Sequence, residues 1–149
     1  KGIKCLIFDL DNTLALIDST KVENSVKELI NKLKKAFLVV IVSNSPKRRV
    51  SSFGKALEVD YYPFALKPNI RTLKKIKSKY NLESKQIAII GDQFITDMAY
   101  GYKGKITKIF VDPLAVKDLK ITNINRYLEE KIMAKYNKNN LFKKGNYYE

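Results

Sequence analysis

Cys5-Leu-Ile-Phe-Asp9-Leu-Asp11-Asn-Thr13 is the stretch that decides how this chain folds. Apolar residues run without a polar interruption into an aspartate, as expected of a strand buried on both faces. Such a strand belongs to a parallel sheet covered by helices. Asp9 and Asp11 stand two apart where it ends, so both can face the same way. In open α/β sheets that end is where ligands bind, near the point at which strand order reverses. Taken alone, the stretch also fits a plain turn with Asp9 as a capping residue.

Outward from it, the order of strand, polar loop and helix recurs. Thr20-Lys-Val-Glu23 has capping-box spacing, and Val22, Val26, Leu29, Ile30, Leu33 and Phe37 follow at helical intervals. Leu38 to Val42 is a second apolar strand, followed by Ser43-Asn44-Ser45 and a helix with Val50, Phe53 and Leu57 facing inward. Tyr61 to Phe64 forms a short third strand ahead of Lys67. Pro68-Asn69 then opens a helix carrying Ile70, Leu73, Ile76 and Tyr80. Gln86 to Ile90 is the fourth strand, stopped by Gly91-Asp92. A short helix from Ile95 to Tyr102 and a fifth strand from Thr107 to Val111 come next, and Thr122 caps a last helix with Ile124, Leu128 and Ile132 inside. Strands alternating with helices predict a three-layer, doubly wound α/β fold with a mostly parallel sheet. Residues 1–149 read as one domain, and the Asn- and Lys-rich stretch 137–149 as a tail, either loosely ordered or a partner-binding extension.

Composition removes much chemistry. The 149 residues hold no histidine and one cysteine, Cys5. That excludes a Ser-His-Asp triad, a His-based phosphatase and a zinc cluster. Cys5 does not open a Cys-x5-Arg loop, and no Gly-x4-Gly-Lys-Ser/Thr loop is present. Carboxylates, hydroxyls, lysine and a hard metal remain. A lone cysteine fits a reducing cytoplasm, and the longest apolar run, Ala36 to Val42, is too short to cross a bilayer. The net charge of +14 favours an anionic partner, whether nucleic acid, a membrane surface or a phosphorylated substrate, although lysines also simply solvate helix faces.

Each polar cluster follows the carboxyl end of an expected strand, so one site can collect Asp9, Asp11, Ser43, Lys67 and Asp92. Two carboxylates as close as Asp9 and Asp11 cannot both ionise freely unless a cation intervenes or one keeps a proton. A bound Mg²⁺ would hold Asp9 ionised as nucleophile. Asp11, further from the metal, would serve as general acid to the leaving alcohol and then as base for the hydrolytic water. Asp92 is the natural further metal ligand, with Gly91 permitting close backbone approach. Lys67 would pair with the nucleophile and phosphoryl oxygens, Ser43 would donate a hydrogen bond to them, and Asp97 would orient Lys67 or metal-bound water. Asn44 with Lys47, Arg48 and Arg49, just beyond the second strand, forms the expected substrate-binding group; the three cations also fit a decorated helix start.

In their order, these residues resemble the four motifs of the haloacid dehalogenase superfamily. Phe8-Asp-Leu-Asp-Asn-Thr-Leu14 is similar to its first, Ser43 to its second, Lys67 to its third and Gly91-Asp92-Gln-Phe-Ile-Thr-Asp97 to its fourth. The resemblance implies a phosphatase with an aspartyl-phosphate intermediate, Mg²⁺ held by Asp9, Asp92 and the backbone carbonyl of Asp11, and strand order 5-4-1-2-3. A narrower resemblance, to YqeG-type phosphatases, runs through Val42-Ser-Asn44, Arg49-Val50, Lys67-Pro68, Gly91-Asp-Gln, Thr96-Asp97 and Thr122-x-x-Asn125-Arg126-x-x-Glu129. That family is related to phosphatidylglycerophosphate phosphatases. Ser45 stands where its pattern has a second Asn, and its segment ahead of the first strand is not among these residues.

Neither Leu14 to Val42 nor Asn44 to Leu66 is long enough for a separately folded cap domain. An uncapped site would admit a bulky substrate. The expectation is therefore a cytoplasmic phosphomonoesterase, peripheral at the inner membrane face, acting on an anionic phospholipid head group. A nucleic-acid end phosphatase and a catalytically idle basic scaffold are the alternatives.

Overall fold

The structure, a computed structural model, describes residues 2–115. They lie within the first of two units into which the chain divides, Lys1–Lys117. The helix expected from Thr122, the Thr122 to Glu129 match and the 137–149 tail fall outside the described residues.

Five strands, β1 (Cys5–Phe8), β2 (Leu38–Val42), β3 (Asp60–Tyr62), β4 (Ile87–Gly91) and β5 (Thr107–Phe110), form one sheet in the order β3-β2-β1-β4-β5. Every pairing is parallel, with Phe8 opposite Ile41 on one side and Ile90 on the other. This is the expected order, and the reversal falls between β1 and β4.

The apolar runs sort cleanly into two faces because strand side chains alternate. Leu6, Phe8, Val39, Ile41, Ala88 and Ile90 pack with Ile30 of α1 (Asn24–Lys34) and with Val50, Phe53 and Leu57 of α2 (Lys47–Leu57). Cys5, Ile7, Val40, Val42, Ile87 and Ile89 pack on the other face with Leu73 and Ile76 of α3 (Arg71–Tyr80) and Tyr100 of α4 (Ala99–Gly104). Continuous apolarity in the strands thus reflects burial on both sides. Burial also pushes the Cys5 thiol up to about 12, which leaves it inert at neutral pH.

Three helices differ from expectation at their starts; α3, expected to open at Pro68-Asn69, begins at Arg71 with Ile70 at its N-cap. The first begins at Asn24, and Glu23 caps it without a side-chain bond. The Thr20-Glu23 box is not used, because residues 16–21 form a loop in which Ser19 Oγ donates to the Lys21 carbonyl at 2.8 Å. The short helix expected from Ile95 is split into a wide turn, Phe94–Met98, and α4. In that turn Met98 N donates to the Gln93 carbonyl five residues back, at 3.2 Å. Wide turns of this kind recur at functional sites, and this one carries Asp97 into the interior. Only α1 lies between β1 and β2, and only α2 between β2 and β3, so neither gap holds a cap.

Candidate active site

Asp9, Ser43, Lys67 and Asp92 are all buried just past the carboxyl ends of β1 to β4. The sheet brings the first and last together directly: Asp9 N donates to the Ile90 carbonyl at 2.9 Å, two residues before Asp92. At the centre is Lys67. Its Nζ donates to Asp9 Oδ1 at 2.6 Å and to Asp97 Oδ1 at 2.5 Å. Asn44 fixes the Lys67 backbone on both sides, accepting from Lys67 N at 2.7 Å and donating Nδ2 to the Lys67 carbonyl at 3.3 Å. The Asn44 amide therefore serves Lys67, although sequence placed it among the substrate contacts.

Burial sets the electrostatics. It pushes the Asp9 carboxyl up to about 7; the Lys67 ammonium opposes that shift, and Asp97 adds to it. Asp97 is raised for the same reason, with Lys67 opposing and Asp92 reinforcing. Burial pulls Lys67 down, but Asp9 and Asp97 outweigh it and hold it above its ordinary value. Hence Lys67 stays charged, and the cost of burial falls on the carboxylates, which one ammonium only partly offsets.

The same carboxylates suit a hard cation. Asp9, Asp92 and Asp97 each offer an oxygen within 4.8 Å of the others. An all-oxygen, anionic donor set at the site of excess negative charge fits Mg²⁺ and not a soft metal. Gly91 makes the cluster possible, because a Cβ there would lie 2.4 Å from Asp97 Cγ and Oδ2. Thr13 Oγ1 donates to Asp92 Oδ1 at 3.1 Å. Thr13 stands in the first motif, where no role was expected of it.

Asp11 is placed differently from Asp9. Its carboxylate accepts from Arg49 Nε at 2.6 Å and from Ser45 Oγ. The remaining Arg49 nitrogens donate to the Ser19 carbonyl at 2.5 Å and the Leu16 carbonyl at 2.7 Å, and the guanidinium carbon sits 5.1 Å from the Phe53 ring centroid. Arg49 was expected to meet substrate; its donors are instead spent on the protein. Lys47 and Arg48, the first residues of α2, are exposed. Ser43 Oγ accepts from Ser45 N at 3.2 Å.

Residues 1–114 match the family model described as mitochondrial PGP phosphatase. The chain belongs to that family. It is a phosphatase, and it has the fold of the haloacid dehalogenase-type hydrolases. The probable phosphatase YqeG of Bacillus subtilis is 32% identical over 90% of this chain and 78% of its own. Phosphatidylglycerophosphate phosphatase 1 of Arabidopsis thaliana is 26% identical over 77% of this chain, which spans only 36% of that protein. Among solved structures, the putative HAD-hydrolase YfnB from Bacillus subtilis, bound to magnesium, aligns over 80% of this PGP phosphatase family member and 91% of its own chain, with TM-score 0.64 and 12% identity, and shares the fold.

Proposed function

We propose that this phosphatase is Mg²⁺-dependent, works through an aspartyl-phosphate on Asp9, and removes a terminal phosphate from an anionic phospholipid head group such as phosphatidylglycerophosphate. The observation that carries the mechanism is Lys67 Nζ held at 2.6 Å from Asp9 beside Asp92 and Asp97. Mg²⁺ on the Asp9 and Asp92 carboxylates and the Asp11 carbonyl would keep the nucleophile ionised and offset phosphate charge. An Asp9 oxygen then forms a bond to phosphorus while the bond to the alcohol oxygen breaks. Asp11, in a protonated form released from its pairing with Arg49, gives that oxygen its proton, and afterwards takes one from the water that attacks phosphorus and displaces Asp9. Lys67, oriented by Asp97, donates to Asp9 and to the phosphoryl oxygens, with Ser43 as a second donor.

The lipid assignment is supported by the Arabidopsis relative's substrate, by gaps too short for a cap and by the exposed Lys47 and Arg48 beside the site. Release of inorganic phosphate from phosphatidylglycerophosphate, lost in EDTA and in Asp9→Asn, is the expected result. Turnover confined to small sugar phosphates or to 3′-phosphorylated oligonucleotides would remove the lipid assignment. Turnover by Asp9→Asn would remove the mechanism.

A further inference from the structure

The loop that delivers Lys67 has a second feature. Exposure alternates along it: Ala65 and Lys67 are buried, while Phe64 and Leu66 are 58% and 68% exposed. Isolated exposed apolar residues are ordinary, but two large ones within three positions of the loop that carries Lys67 are not isolated along the chain. Both also hold left-handed backbone, with φ of 47° for Phe64 and 54° for Leu66. Bulky side chains rarely adopt that conformation. Glycine or asparagine would relax it, and neither side chain repays its strain by burial in this fold.

The strained backbone is fixed from the second-motif loop. Phe64 N donates to the Ser45 carbonyl at 3.1 Å and Ala65 N to the Ser43 carbonyl at 3.0 Å, while Asn69 N closes a turn onto the Leu66 carbonyl at 2.8 Å. The two loops therefore form one rim over the site. Across residues 43–49 and 63–71 that rim carries Lys47, Arg48 and Arg71, all exposed, and no acidic residue. An exposed apolar pair on a rim whose exposed charges are all cationic is complementary to one surface in particular, an anionic bilayer. There apolar side chains enter the acyl boundary and cations meet head groups. Among the described residues no helix is long and apolar enough to cross a membrane, so contact of this kind would be peripheral.

We propose that Phe64 and Leu66, with Lys47, Arg48 and Arg71 on the same two loops, dock the enzyme on an anionic phospholipid bilayer and so bring the active site to a substrate still embedded in it. This rests on the lipid reading of the substrate. The test compares the full chain with the double variant Phe64→Asn/Leu66→Asn, because asparagine tolerates left-handed backbone. Cosedimentation is measured with phosphatidylcholine vesicles, with and without phosphatidylglycerol. The wild type should bind the anionic vesicles, and the variant should partition about ten-fold less or weaker. Its melting temperature should hold or rise, and its turnover of para-nitrophenyl phosphate should be unchanged. Phosphate release from phosphatidylglycerophosphate should fall more in vesicles than in detergent micelles.

Equal partitioning of the two proteins overturns the proposal, whether or not the lipid is hydrolysed. So does wild-type protein that ignores anionic vesicles, which would assign the rim to a protein partner, or a lowered melting temperature, which would assign the side chains to the fold. Wild-type failure on micellar lipid, with partitioning still lost in the variant, would strike the substrate reading and leave the docking surface standing.

Discussion

Lys67 is the residue on which the centre balances. Its ammonium is almost wholly removed from water, and the Asp9 and Asp97 side chains that face it are buried as well. A cation in that position is retained because taking it away is worse than keeping it: two buried carboxylates would be left without it. Breaking a buried pair by deleting one partner typically costs about 3–5 kcal/mol. We therefore expect Lys67→Met, matched in length but uncharged, to lose that order of stability in urea unfolding with EDTA present. Turnover should vanish as well, since Asp9 loses its donor. An unfolding midpoint equal to that of wild type would show that Asp9 and Asp97 do not depend on the lysine. The charge relation was readable from the motif order, because a lysine after one parallel strand and an aspartate after another must meet at the same sheet edge. That Asn44 holds the Lys67 backbone was not readable. A side-chain amide pairing with a peptide twenty-three residues away leaves no periodic trace.

At the scale of elements, Arg49 ties helix to loop. From the first turns of α2 its fork reaches Asp11, Ser19 and Leu16 at once, so the stretch after the first motif is fastened to the helix after the second. Lysine can carry the charge but has no planar fork to span three acceptors. Arg49→Lys should thus keep the fold and release the loop and the Asp11 carboxyl. A misplacement of about 1 Å can cost about 10²-fold in rate, and a loss of about 10- to 100-fold in kcat, with a smaller change in KM, is the outcome to look for. Wild-type kcat in Arg49→Lys would mean that the tether is structural only. Strands and strand order were evident in the sequence because doubly buried β segments are short, β-branched and unbroken. The start of α1 was not: Thr20 and Glu23 have the right spacing for a box, but the preceding carbonyls are claimed by Arg49 from across the fold. A local signal lost to a tertiary one. Arg49 itself read as substrate-facing for the same reason, since its partners at Leu16 and Ser19 are unremarkable in sequence.

For the molecule as a whole, the raised carboxyls make stability depend on pH and metal together. Asp9 titrates at about 7 in the folded protein, against an ordinary value of 3.8. Between those limits the folded state holds a proton that the unfolded chain has released, so stability of the metal-free protein falls as pH rises through that window and levels off above it. Asp97, raised likewise, acts in the same direction. Asp60 and Glu83 are held below their ordinary values, first of all by hydrogen bonds from Lys79 and Lys85 respectively. Their stabilisation is complete above the normal carboxylate range and is lost only on further acidification. Lys67, held high, gives up its contribution only in strong alkali. Melting in EDTA should therefore move to lower temperature from about pH 5 to about pH 7.5. Mg²⁺ should reverse this, because it binds the ionised carboxylates and displaces the proton, and an ion at about 100 times its Kd adds roughly 2.7 kcal/mol. The Mg²⁺-induced rise in Tm should accordingly be larger at about pH 8 than at about pH 5. A Tm in EDTA that climbs across this range, or an Mg²⁺ effect that is the same at both ends, would show that the buried carboxyls are ionised without the metal.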